Sequence, residues 1–204
     1  MKLHWSPKSP YVRKVMVCAH ELQLLPQIEL VRSVAAMLKP NAALMRDNPL
    51  SKIPTLVLNN GDTLFDSAVI CEYLNDLGSG TLFPAHGVAR WQALRWQAFG
   101  DGLMDALILW RNERERAQGS RSMELIGAFE LKAQSALAQL EKEAPTLTQA
   151  PFSIGHASLG CALGYFDFRF ADLAWRAVSP GLARWYAAAQ TRPAFVATEP
   201  VSDG

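Results

Sequence analysis

The stretch Ser51-Lys52-Ile53-Pro54-Thr55-Leu56-Val57-Leu58 decides the fold of this chain. Proline lacks the N–H that a β-ladder needs and is tolerated at a strand's first residue or edge, so Pro54 marks where pairing begins. With a cis Ile53-Pro54 bond, the backbone N–H and C=O of Ile53 can turn outward to pair with an extended peptide. Beyond Leu56 and Leu58 the chain turns through Asn59-Asn60-Gly61-Asp62, a hairpin signal, and enters a second strand at Thr63-Leu64-Phe65. Asp66 and Ser67 follow at the start of a helical stretch. A helix start offers unpaired N–H groups and partial positive charge, so a carboxylate and a hydroxyl there can hold both ends of an amino-acid group. Together the two halves describe a site for a small peptide.

Upstream, Lys2-Leu3-His4-Trp5 reads as a short strand broken by Ser6-Pro7-Lys8-Ser9-Pro10. Tyr11 to Leu25 then carries Val12, Val15, Met16, Ala19 and Leu22 at helical spacing. Ser9 before Pro10 is an N-cap followed by a first-turn proline. A hydroxyl at such a helix start, donating to a bound thiol, stabilises the thiolate, and the helix N-terminus adds to the effect. A strand from Gln27 to Val31, then a helix, lead to Asn48-Pro49-Leu50-Ser51-Lys52-Ile53-Pro54.

This order of elements, with Asn-Pro-x-x-Lys-Ile-Pro and the Asp66-Ser67 pair, resembles the cytosolic glutathione transferase family over nearly the whole chain. The Ser9-Pro10-Tyr11-Val12-Arg13-Lys14 run is similar to its serine-type bacterial branch. The resemblance implies an α/β thioredoxin-like glutathione-binding domain over residues 1–80 and an all-α domain over 86–204. It implies that Ser9 activates the thiol, Ile53 ahead of Pro54 holds the cysteinyl backbone, Asp66 and Ser67 bind the γ-glutamyl end, and Lys52 neighbours the tripeptide. It also implies glutathione as co-substrate, a small electrophile as second substrate, detoxification chemistry and a homodimer. Trp5 and Ser6 stand where some classes carry a catalytic tyrosine, and Ser9 stands where redox-active classes carry cysteine. Ser6 is the rival of Ser9 for the thiol, and Tyr11 is a further hydroxyl beside it.

The chain has 204 residues, half of them apolar, enough for one large or two small cores. Its net charge of +1 is dispersed, which leaves no footprint for nucleic acid or an anionic membrane surface. Arg111-Asn112-Glu113-Arg114-Glu115-Arg116 mixes signs and reads as a solvated helix face with internal ion pairs. Pro7 interrupts the N-terminus before a signal-peptide core can form, and no apolar run approaches the roughly 18 to 20 residues of a membrane span. A cytoplasmic location is expected. Cys18, Cys71 and Cys161 lie in separate apolar stretches and read as buried small hydrophobes of a reducing compartment.

Organisation changes near residue 80, where Asp76-Leu77-Gly78-Ser79-Gly80 ends a helix. From His86 onward no strand is expected. A first long helix carries Trp91, Leu94, Ala98, Leu103, Leu107 and Trp110, with Gly100 and Gly102 predicting a kink or a close approach. A second runs from Ser122 to Glu143, where Ala144-Pro145 stops it. Asp101 and Asp105 share one face of the first, but no histidine or cysteine sits at ligand spacing, so no metal is assigned. Asp105 and Arg111, with Tyr11, are the candidates for lining the second-substrate pocket. Ser153-Ile154-Gly155-His156 occupies the slot of a family capping box with histidine where the acid belongs, so the reciprocal bond is not expected although Ser153 still caps. Two more helical stretches follow, from Pro180 to Thr191 and from Arg192. Three functions stand at this point: glutathione conjugation, thiol–disulfide or peroxide chemistry on the same fold, and a non-catalytic glutathione-binding module.

Overall fold

The computed structural model describes residues 1–202. β1 (Lys2–Trp5) leads into α1 (Pro10–Glu21), and β2 (Glu29–Arg32) returns parallel to β1. β3 (Thr55–Val57) pairs antiparallel with β1 through Leu3 and Leu56, and β4 (Thr63–Leu64) closes a sheet of order β2-β1-β3-β4. α2 (Ser67–Leu77) packs with α1. Leu3, Val15, Cys18, Leu56, Ile70, Cys71 and Leu74 are fully buried in this half. The Asn59–Asp62 turn forms as read, with Gly61 at φ +91°, a value glycine adopts without strain.

Two expectations in this half shift. α1 ends at Glu21, capped by the Leu22 N–H on the Cys18 carbonyl, rather than running to Leu25. The helix expected between β2 and Asn48 is absent: one 3-10 turn at Leu44–Arg46 stands in an irregular segment. Pro40 ends any helix that Ala35 to Lys39 starts, and the Asn41 Oδ1 accepts from Ala43 and Leu44 N–H at 3.0 and 3.3 Å to begin the short turn instead. His4, given no role from the sequence, ties this segment down: its Nδ1 meets Ser33 Oγ and its Nε2 meets Asp47 Oδ2, both at 2.8 Å.

The remaining described elements are helical: α3 (Gly87–Arg114), α4 (Met123–Gln149), α5 (Ile154–Arg169), α6 (Trp175–Val178), α7 (Pro180–Gln190) and α8 (Pro193–Ala197). α5 is buried on every side from Ile154 to Phe166 and packs most extensively on α3. α3 is one continuous helix through Gly100 and Gly102. Gly100 answers the close-approach reading, since a Cβ there would lie 2.5 Å from Ser158 Oγ and 2.7 Å from the Ser158 backbone carbon. Gly102 meets nothing within 4 Å.

α4 passes through Pro145 and ends at Gln149, contrary to the stop expected at Ala144-Pro145. Packing overrides the missing N–H, because Ala144 and Leu147 are buried on either side of the proline and Thr148 Oγ1 donates to the Ala144 carbonyl at 2.8 Å. The capping box of α5 is also complete, contrary to expectation: Ser153 N–H donates to His156 Nδ1 at 3.1 Å, and His156 Nε2 lies 3.1 Å from the Leu147 carbonyl. A carbonyl only accepts and an amide N–H only donates, so His156 is the neutral Nε2–H tautomer. Burial first, with the Arg192 guanidinium, lowers its pKa, and the bond to Leu147 opposes them.

Candidate functional site

The turn before β3 is held by Asn48, which is buried. Its Nδ2 donates to the Lys52 carbonyl at 3.2 Å and to Thr55 Oγ1 at 2.9 Å, and its Oδ1 accepts from Leu50 N–H at 3.0 Å. Thr55 Oγ1 donates to the same Lys52 carbonyl at 2.9 Å, while Ser51 sits at φ +53°. The Ile53–Pro54 bond is cis. Ladder pairing with β1 starts at Thr55, so Ile53 lies two places outside the sheet, and among the described residues its N–H and C=O have no hydrogen-bond partner. Lys52 is exposed and its ammonium forms no ion pair there.

α2 packs against β3, the strand this turn leads into. Asp66 is its N-cap, accepting from Ala68 N–H at 2.9 Å through Oδ1, which leaves Oδ2 open on an exposed side chain. Ser67 is buried, yet neither its hydroxyl nor its N–H is bonded within the described residues, so a helix start presents free donors. Ser9 caps α1, its Oγ accepting from Val12 N–H at 3.3 Å. That bond occupies a lone pair and leaves the hydroxyl proton free to donate. Ser6 Oγ also accepts, from Lys8 N–H at 3.4 Å, but Ser6 is 8 % exposed whereas Ser9 is half-buried.

Tyr11 and Asp105 are brought together, and Arg111 is not with them. The Tyr11 hydroxyl reaches Asp105 Oδ1 at 2.5 Å and the Asp101 carbonyl at 3.0 Å. Burial first, then the hydrogen bond and charge of Asp105, push the phenol far above its ordinary range, and Asp66 adds to the push. Tyr11 is therefore a neutral donor committed to α3. Arg111 lies six residues beyond Asp105, about 120° around the helix axis. It pairs with Glu115, Nε to Oε1 at 2.8 Å, as the mixed-charge run predicts.

The main partner missed in the sequence is Lys14. Its side chain is fully buried and its ammonium grips both oxygens of Asp101 at 2.6 and 2.7 Å, with Ser158 Oγ donating to the same carboxylate at 2.8 Å. A lysine within the apolar spacing of α1 is the signal that was available. Arg13, also buried, donates from Nη2 to the Phe195 carbonyl at 3.2 Å. The three cysteines are free and buried as read. A hydrogen bond to Cys71 and burial push the Cys18 thiol up, and burial pushes that of Cys161 up to about 12. Among the described residues no group of three His, Cys, Asp or Glu side chains converges to hold a metal, and no helix is long and apolar enough to cross a membrane.

An α/β half of thioredoxin-like type, with a helix start and an open backbone edge, joined to an all-helical half, defines a two-part architecture. Family models describe that architecture: the glutathione S-transferase N-terminal domain matches residues 8–77 and the C-terminal domain matches 114–188. A glutathione transferase family member from Pseudomonas fluorescens Pf-5, solved with bound glutathione, is 44% identical with TM-score 0.95, covering 98% of this chain and 99% of that one. A family member from the same organism, solved with S-(propanoic acid)-glutathione, is 42% identical with TM-score 0.90 and the same coverage. An uncharacterized GST-like protein of Escherichia coli (strain K12), YibF, is 28% identical over 203 residues, 98% of each chain. The chain belongs to the glutathione transferase family.

Proposed function

We propose that this protein binds glutathione and activates its thiol for attack on a small electrophile, as a serine-type member of the family. The observation that carries the reading is the unpaired Ile53 backbone together with the free donors of Ser67. An extended cysteinyl residue adds to Ile53 as one more strand, N–H to C=O and C=O to N–H. The γ-glutamyl ammonium meets Asp66, its carboxylate takes the Ser67 N–H and hydroxyl, and Lys52 stands near the glycine end. Ser9 donates its free proton to the sulfur, and the α1 N-terminus favours the negative form. Tyr11 and Asp105 line the second-substrate side, with Arg111 further along α3. Residues 1–80 form the glutathione-binding domain and 86–204 the helical one, in a cytoplasmic homodimer with no resident metal.

The bound tripeptide and conjugate in the Pseudomonas fluorescens relatives support this reading. Burial of all three cysteines disfavours thiol–disulfide chemistry, which needs an accessible protein thiolate. Titration calorimetry with glutathione on the wild type, Asp66→Ala and Ser67→Ala tests the site. Losing a charge-assisted partner removes about 1.5 to 3 kcal/mol, so Asp66→Ala weakens binding tenfold or more, and Ser67→Ala less. Equal affinity in three folded proteins would place the tripeptide elsewhere. A conjugation assay over a panel of electrophiles then separates the transferase from a silent binder.

A further inference from the structure

A cleft of about 640 Å³ opens between α4 and α7, and none of Ser9, Tyr11, Ile53, Asp66, Ser67, Asp105 or Arg111 lines it. Its size falls in the range of small-molecule sites. Leu147 and Ala189 are buried apolar residues of its lining, and Phe152 and Trp185 add aromatic surface. His156 also lines it, but both ring nitrogens are already used, so it offers only carbon and ring surface.

The polar groups of the cleft do not cancel. Glu141 is spent on the start of α7, its two oxygens accepting from Gly181 and Leu182 N–H at 2.9 and 2.7 Å. Arg192 is matched by Glu21, Nε and Nη2 to the carboxylate at 3.0 and 2.7 Å, and it covers the Phe152 ring at 4.0 Å. Arg184 remains: it is exposed and has no carboxylate partner within the described residues. Beside it Trp185 is 7 % exposed, and its indole N–H makes no hydrogen bond within the described residues and is not among the fully buried polar atoms, so it is open to solvent. A free guanidinium and a free indole N–H thus stand at the edge of an apolar, aromatic floor.

We propose that the α4–α7 cleft binds a small aromatic carboxylate, its ring on the Leu147–Trp185–Ala189 floor and its acid taken by Arg184 and the Trp185 indole N–H. Guanidinium and indole N–H are both donors only, so the pair selects an anion over a neutral or cationic ligand of the same shape. The site is independent of glutathione.

The probe is naphthalene-1-carboxylate, with naphthalene-1-methanol as its neutral counterpart, on the full chain. The expected result is saturable binding by calorimetry, unchanged by saturating glutathione, with one tryptophan indole N–H resonance shifting in the ¹H–¹⁵N spectrum and that resonance missing in Trp185→Phe. Arg184→Gln, a surface change that leaves the core alone, weakens the carboxylate at least tenfold and leaves the alcohol unaffected. Ala188→Trp, at an exposed position on the cleft wall, abolishes both. No binding at millimolar probe, competition by glutathione, or full affinity in Arg184→Gln would overturn the proposal.

Discussion

Ser9 carries two tasks on one oxygen. Its lone pair caps α1 and its proton is left for a ligand. A free thiol has a pKa of about 8.5, so only a few per cent is thiolate at neutral pH. One hydroxyl hydrogen bond and a helix N-terminus lower that by about one to two units, at about 1.4 kcal/mol each. Ser9→Ala is expected to leave glutathione binding nearly intact, cut conjugation at pH 7 roughly ten- to a hundredfold, and move the pH–rate profile upward. Ser9→Thr, which keeps cap and proton, recovers most of the rate, and Ser6→Ala changes little. A Ser6 variant that loses activity while Ser9→Ala keeps its rate and profile would reverse the assignment. At this scale the sequence displayed the groups proposed to face the peptide, since Ser9, Pro54, Asp66 and Ser67 sit where local backbone chemistry fixes them. It hid Asn48 and His4 as staples, because their partners, Lys52 with Thr55 and Ser33 with Asp47, become neighbours only through the turn and the sheet.

Elements meet here through a few polar contacts set in apolar surroundings, and each gives a measurable signature. Lys14 on α1 is fully buried and its ammonium is paired with Asp101 on α3, which is itself partly exposed. Asp101→Ala strands a buried ammonium and is expected to cost about 3 kcal/mol in urea denaturation, whereas Lys14→Met with Asp101→Leu recovers most of that loss. Full stability of Asp101→Ala would mean that the pair is not energetically coupled. His156 at the start of α5 gives a pH signature. Its folded pKa lies below the ordinary 6.5, so between the two values the unfolded chain holds more protons. Its contribution is complete above pH 6.5 and lost as pH falls through the window towards the folded pKa. His156→Gln, whose amide can fill both sides of the box, should flatten that part of the stability–pH curve relative to wild type. An unchanged slope would mean that His156 does not carry it. Pattern alone misjudged the element ends: Pro145 reads as a stop only until Ala144 and Leu147 are seen to be buried around it, and the helix expected between Val31 and Asn48 gives way to a short turn that Asn41 captures.

For the whole molecule, the outstanding surface feature joins the two halves. Glu72 on α2 pairs with Arg90 on α3 at 2.9 Å, and Val69, Val88 and Trp91 flank that pair at 48, 84 and 70 % exposure. The proposed homodimer would close over this face and bury them, and Trp91→Glu is expected to convert that dimer into a monomer in light scattering at micromolar concentration. A wild type that is already monomeric removes the dimer. The two-part layout was readable because a hairpin-bearing α/β pattern gives way near residue 80 to helical periodicity. The contacts of α1 with the helical half were not, because they belong to pairs 87, 94 and 182 positions apart. α1 shows what that separation implies during synthesis. Tyr11 reaches for Asp105, Lys14 for Asp101, and Arg13 for the carbonyl of Phe195. As the nascent chain leaves the ribosome, its first helix carries two buried cations whose partners have not yet been translated. Chains arrested at residue 80 should therefore remain protease-sensitive in α1, and protection should arrive in two steps, after α3 emerges and again when the last helix is released.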